Sequence, residues 1–178
     1  PRWASVFLPL QAVLRSHRGA VVVSMLLTWM LSAGIVVVIL MTPDLLQKLL
    51  HIAPRTTLVA NTVATLCLAF GCIIAGMLAD RLGGKRVIFV GSVLLAISTY
   101  IFYTTVGSRP DLLLPLYAMT GLFVGVVGAV PYVLVQAFPA QVRFSGLSFS
   151  YNLSYAIFGG LTPVVVTLML KNNVLGPA

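Results

Sequence analysis

The sequence predicts an all-α membrane protein of about five transmembrane helices, and three observations carry that prediction. Apolar residues make up 60% of the 178-residue chain and charged residues only 8%. Together with a mean hydropathy of +1.07, this excludes an ordinary soluble domain, whose surface needs far more polar cover. Five uncharged apolar runs, roughly 20–41, 57–79, 87–106, 112–137 and 145–170, are each long enough to cross about 30 Å of hydrocarbon. Every charge falls outside those runs. The resulting plan is a cytoplasmic amphipathic linker over 1–19, a five-helix transmembrane bundle over 20–170 and an external tail over 171–178.

The linker carries Leu10, Val13 and Leu14 along one helical face, followed by Arg15, His17 and Arg18, a pattern that suits a short helix lying on the membrane surface. The chain opens on Pro1 without a signal-peptide pattern, and the expectation is a piece of a longer protein. After the first span, Leu45, Leu46, Leu49, Leu50 and Ile52 surround Asp44 and Lys48, which predicts a separate interfacial helix between Pro43 and Arg55. Pro54 and Thr56 should introduce the second span, with His51 a polar residue of the interface. Cys67 and Cys72 lie five residues apart, roughly 140° around a helix, and so face different directions; neither a disulfide nor a metal site follows.

The second and third spans are joined by Gly76-Met-Leu-Ala-Asp80-Arg81-Leu-Gly83-Gly84-Lys85-Arg86, the densest charge cluster in the chain. Gly83 and Gly84 permit the positive φ that a tight turn needs. Asp80 is placed to meet a helix N-terminus or an arginine, and Lys85 and Arg86 to reach anionic headgroups. Short loops rich in Lys and Arg stay in the cytoplasm. Alternation from this loop puts Arg2, Arg15, Arg18, Arg81, Lys85, Arg86 and Arg143 inside, against Lys48, Arg55, Arg109 and Lys171 outside. The net charge of +8 is therefore topological. It lacks the clustered basic face of a nucleic-acid binder, and no nucleic acid is expected as a partner.

The fourth span carries Gly121, Gly125, Gly128 and Pro131 at intervals of four, three and three, a stripe that lets a neighbouring backbone approach closely or softens a helix that bends. The turn after it reads Phe138-Pro-Ala-Gln-Val-Arg143, then Ser145-Gly146-Leu-Ser148, Tyr151-Asn152 and Phe158-Gly159-Gly160-Leu-Thr162-Pro163. Pro139 and Arg143 make a cytoplasmic turn, Ser145 is placed to cap the fifth helix, and Gly159, Gly160 and Pro163 interrupt it partway.

The pattern Gly-x-x-x-Asp-Arg-x-Gly-x-Lys-Arg at 76–86 resembles the loop that major facilitator superfamily transporters carry between their second and third helices and again between their eighth and ninth. The passage from Phe138 to Pro163 resembles the metabolite:proton symporter family of that superfamily. The resemblance covers nearly the whole chain. It implies helices seven to eleven of a C-terminal half, with a sixth helix of that half and an N-terminal half as the absent partner. It also implies multi-pass residence in the inner membrane, amid its lipid. The expected function is secondary active transport of a small polar metabolite, an organic acid or a zwitterion, by alternating access. Protons enter as a partner by resemblance alone, because the spans contain no Asp, Glu, Lys or Arg. Asp80, Arg81, Lys85, Arg86 and Arg143 take gating roles in that picture.

The substrate contacts are read from side chains. Ser148, Tyr151, Asn152, Tyr155, Gly159 and Thr162 recur at helical spacing as one polar stripe on an apolar helix, with Tyr151, Asn152 and Tyr155 the leading candidates. Asn61 and Thr65 on the second span are secondary candidates, and Thr28 and Ser32 on the first form a similar pair. Packing against neighbouring helices is the competing role for such groups. No catalytic residue, metal or cofactor is expected and the chain is not read as an enzyme, since neither His17 nor His51 lies in a span. A drug-proton exporter of the same superfamily and a non-transporting structural membrane fragment are the alternatives.

Overall fold

The computed structural model describes residues 13, 15 and 17–171. Most of the amphipathic segment expected before Ala20, and the external tail after Lys171, lie outside the described residues. Among those residues there is no β-strand, and five helices are long and apolar enough to cross a membrane: α1 (Arg18–Leu50), α2 (Pro54–Leu82), α3 (Gly84–Val106), α4 (Pro110–Ala137) and α5 (Arg143–Met169). The architecture is that of a multi-pass membrane protein.

Three of the five helices depart from α geometry partway along, each just before a proline. Residues Ile35–Met41 of α1 and Tyr155–Gly159 of α5 are π-helical, and Gly125–Ala129 of α4 is a 3-10 segment; Pro43, Pro131 and Pro163 follow. A proline has no N–H to give the carbonyl four residues back, so the preceding turn re-pairs. In α4 the Val127 carbonyl, deprived of Pro131, accepts instead from the Val130 N–H in the tighter i+3 register. In α1 the Thr42 N–H reaches back five residues to Val37, the wider π register.

This re-pairing corrects the first expected boundary. The helix does not stop at Met41 to restart at the interface; it runs on through Thr42–Leu50, with Thr42, Pro43 and Leu46 buried. It ends at His51, whose left-handed φ of 52° and N–H to the Leu46 carbonyl form the cap that such a helix end favours. Of the two turn glycines, Gly83 alone takes a positive φ, 88°, while Gly84 is already the first residue of α3. The fifth helix starts at Arg143, earlier than Ser145; Val142 precedes it and no side chain caps it.

The chain forms two compact units. Residues Gly34–Tyr132 make the larger one, in which α2 and α4 meet along a seam of small residues. A Cβ added at Gly121 would lie 2.3 Å from the Ala64 carbonyl oxygen, at Gly125 2.4 Å from the backbone of Gly71, and at Gly128 2.7 Å from the Cys72 carbonyl oxygen. The matching face of α2 is Thr57, Ala60, Ala64, Gly71, Ala75 and Ala79, all buried and all small. Helix α3 closes on α4 at Gly91, where a Cβ would meet Val126 at 2.3 Å. With the apolar effect between helices weak in lipid, such close backbone contact is what holds spans together.

In the second unit Val13, Val21 and Phe138 form a buried cluster, and the Phe138 ring lies over Gly146, leaving no room for a Cβ there. Ser154 donates to the Met25 carbonyl at 2.8 Å and Trp29 stacks on Phe158 at 4.6 Å, joining the first part of α1 to α5.

Candidate functional site

Two polar arrangements stand out, one in each unit. In the Gly34–Tyr132 unit it grows from the π turn of α1. The Thr42 N–H is diverted to Val37 and Pro43 has no N–H, so the Val38 carbonyl has no backbone donor. The Tyr117 hydroxyl, from α4, supplies one at 2.6 Å. The Asn61 side-chain amide, from α2, lies 2.7 Å from the same hydroxyl. A phenol carries one proton, so the Tyr117 hydroxyl donates either to the Val38 carbonyl or to Asn61 Oδ1 and serves the two acceptors in turn.

Beside it, Thr42 donates to the Val37 carbonyl at 2.9 Å, so the Tyr103 hydroxyl, 2.6 Å away, donates to Thr42. Phe102 stacks on Tyr117 with ring centroids 5.0 Å apart. Val38, Thr42 and Tyr117 are buried. Four helices thus converge on two consecutive carbonyls of a non-α turn.

Asn61, expected as a substrate contact, lies in this internal network. Thr65 donates to the Asn61 carbonyl at 2.8 Å on an exposed face. Thr28 and Ser32, in the other unit, are fully buried and bond to the carbonyls of Ser24 and Trp29, so they line no open surface. Tyr117, Thr42 and Tyr103 were missed. The signal was Pro43 inside an apolar helix, which announces an orphaned carbonyl but not the residue that meets it.

In the second unit the face of α5 that packs inward is Gly146, Ser150 and Ser154. Asn152 lies about 200° around the helix from Ser150 and is exposed, its amide nitrogen bonded only to the Ser148 carbonyl at 2.8 Å. Tyr151 and Tyr155 are half-buried against each other, ring centroids 4.9 Å apart. Thr162 donates to the Phe158 carbonyl. The three leading candidates are therefore adjacent on a surface that the described residues leave open.

The charged turn is also open. Asp80, Arg81, Lys85 and Arg86 are exposed, and Asp80 forms no ion pair among the described residues. It sits in the last turn of α2, where the helix's own field disfavours a carboxylate, so it is not at the N-terminus of its own helix. Arg143 donates from Nε to the Phe138 carbonyl at 3.2 Å and ties the turn between α4 and α5. Among the described residues no cluster of His, Cys, Asp and Glu is arranged to hold a metal ion, and Cys67 and Cys72 are free thiols.

Comparison with known proteins adds ancestry to this geometry. The chain is 27% identical over 164 residues to a citrate-proton symporter of Klebsiella pneumoniae, covering 90% of this chain and 37% of that protein. It is 31% identical over 134 residues to a citrate-proton symporter of Salmonella typhi, covering 73% and 31%. A Staphylococcus aureus protein named as a proline/betaine transporter is 27% identical over 133 residues, covering 74% and 28%. The chain is homologous to small-molecule transporters. It spans about 37% of the length of the first of these relatives and about 31% and 28% of the others. No family model matches the chain, and no solved structure matches it.

Proposed function

We propose that the chain is part of the C-terminal half of a major facilitator superfamily transporter of the metabolite:proton symporter family, moving a small organic acid or zwitterion across the inner membrane by alternating access. The observation that carries the proposal is the open face of α5. Asn152 is an amide about a third of the way along an apolar helix, exposed, and its nitrogen is bonded to its own helix at the Ser148 carbonyl. An amide left unpaired in hydrocarbon costs about 1–3 kcal/mol. Its other groups therefore belong to water, substrate or a partner helix, not to lipid. Tyr151 and Tyr155 flank it with rings and hydroxyls suited to a small carboxylate or quaternary ammonium. The named activities of the homologues, citrate with protons and proline or betaine, fall in that chemical class.

The gate in this proposal is Asp80, exposed and without an ion pair among the described residues, meeting a helix N-terminus of the other half. Arg81, Lys85 and Arg86 hold the cytoplasmic edge in the same turn, and Arg143 takes its gating role in the turn between α4 and α5. A carboxylate so placed is worth about 0.3–2 kcal/mol, which shifts a balanced two-state equilibrium by up to about thirtyfold. Proton coupling rests with the other half, since the five helices hold no carboxylate at membrane depth.

The test uses the full-length transporter carrying Asn152→Ala or Tyr155→Phe, with surface insertion and uptake of citrate, proline and betaine measured together. Normal insertion with substrate affinity weakened tenfold or so, the loss of about one charged-group hydrogen bond, supports the assignment. Normal insertion with unchanged affinity in both variants reduces this face to helix packing.

A further inference from the structure

We propose that the groove between α2 and α3 is a binding site for one anionic phospholipid of the cytoplasmic leaflet. The groove is a cavity of about 380 Å³, walled by α2 from Gly71 to Leu82 and by α3 from Arg86 to Leu94, with Leu122, Phe123 and Val126 of α4 as its floor. Gly71 and Gly91 seat both walls directly on α4, and Ala75 adds only a methyl group to the wall. The lining is apolar along its length with one exception. Arg86 stands at the end next to Leu82, exposed and without a hydrogen bond or ion pair among the described residues.

Length and charge select the occupant. From Gly71 to Leu82 the wall spans eleven residues, about 16 Å along a helix, which is about half of the ~30 Å hydrocarbon core. A transmembrane helix from a partner would need a groove running the full thickness. A single acyl chain needs one leaflet. Arg86 lines that end of the groove, and the turn it belongs to also carries Arg81 and Lys85 against one acid, Asp80. The cytoplasmic leaflet, where the positive loop places this end, is the one rich in anionic headgroups. Hydrocarbon in the groove and phosphate at Arg86 is thus the arrangement that both ends of the site call for. The inference is independent of which solute is transported.

The experiment is lipid retention by the purified full chain, exchanged into detergent with equal phosphatidylglycerol and phosphatidylcholine and read by native mass spectrometry. One cation at a membrane surface favours an anionic lipid by about fivefold. The unsubstituted chain should retain one phosphatidylglycerol over phosphatidylcholine by about that factor, Arg86→Gln should bring the ratio to near parity, and Lys48→Gln, at the opposite end of the bundle, should leave it unchanged. Ala75→Phe, which fills the groove, should retain neither lipid; Leu78→Trp reads the same point if that variant fails to insert. Equal retention of the two lipids by the unsubstituted chain, or an unchanged preference in Arg86→Gln, overturns the site. Full retention with the groove filled overturns the acyl-chain placement.

Discussion

Tyr117 supplies at one oxygen what Pro43 takes away at one nitrogen. Its hydroxyl meets the Val38 carbonyl, and its ring, stacked on Phe102, is fully buried. Tyr117→Phe keeps the ring and removes the donor, leaving a buried carbonyl and the Asn61 amide without their shared partner. The expected loss is about 1–3 kcal/mol, visible as a lowered midpoint in thermal unfolding of the detergent-solubilised protein; an unchanged midpoint would mean that water takes the hydroxyl's place. Asn61 shows how far the sequence could be read here. A lone amide in an apolar helix announces that something polar faces it, yet its partner is 56 residues away on another helix. No periodicity along one helix encodes that pairing. Asn152 presents the same signal and the structure leaves it open.

At the scale of helices, the glycine seam is the testable feature. Gly125→Val drives a side chain into the backbone of Gly71, where no rotamer offers escape, so the helices must separate. Overpacking of this kind costs typically 1–3 kcal/mol or more, and the folded yield should fall accordingly. Gly76→Val is the control. A Cβ at Gly76 meets nothing within 4 Å, and its yield should match the parent. Equal losses in both would assign the effect to helix propensity rather than to the seam. The stripe on α4 was legible because three glycines in eight residues stand out. Its counterpart on α2 was not, because Ala60, Ala64, Ala75 and Ala79 look in sequence like any apolar residues of a span. The end of α1 was misread for a related reason. A proline and an acid after Met41 are ordinary signs of a boundary, and only a buried Tyr117 ready to receive the freed carbonyl lets the helix continue.

For the whole molecule, hydropathy alone located the five long apolar helices that the structure shows among its described residues. It did not carry the division into two units at Gly34 and Tyr132, which falls inside α1 and α4 rather than in any loop. The orientation can be checked directly. Lys85 and Ser108 are both exposed, at opposite ends of α3. Single cysteines there, in a background lacking Cys67 and Cys72, should react with an impermeant thiol reagent from opposite faces of the membrane. Labelling of both in intact cells would reverse or break the assigned topology. At the same scale, Asp80→Asn in the full-length transporter should alter the rate of turnover more than the equilibrium affinity for substrate. Weakened binding at an unchanged rate would make Asp80 a ligand contact.

The hydrogen bond between Asn61 and Tyr117 also sets a schedule for biosynthesis. The two residues are separated by 56 positions, and a ribosome adding about 5–20 residues per second needs roughly 3–11 s to cover that distance. By the later part of that interval α2 is complete to Leu82 while the helix that satisfies its amide is not. Asn61 must borrow hydrogen bonds meanwhile, from water at the channel that inserts the chain or from lipid carbonyls, and the seam of small residues beneath it stays open until α4 arrives. Helix α1 waits longer still, since its Val38 carbonyl meets the same hydroxyl 79 positions on.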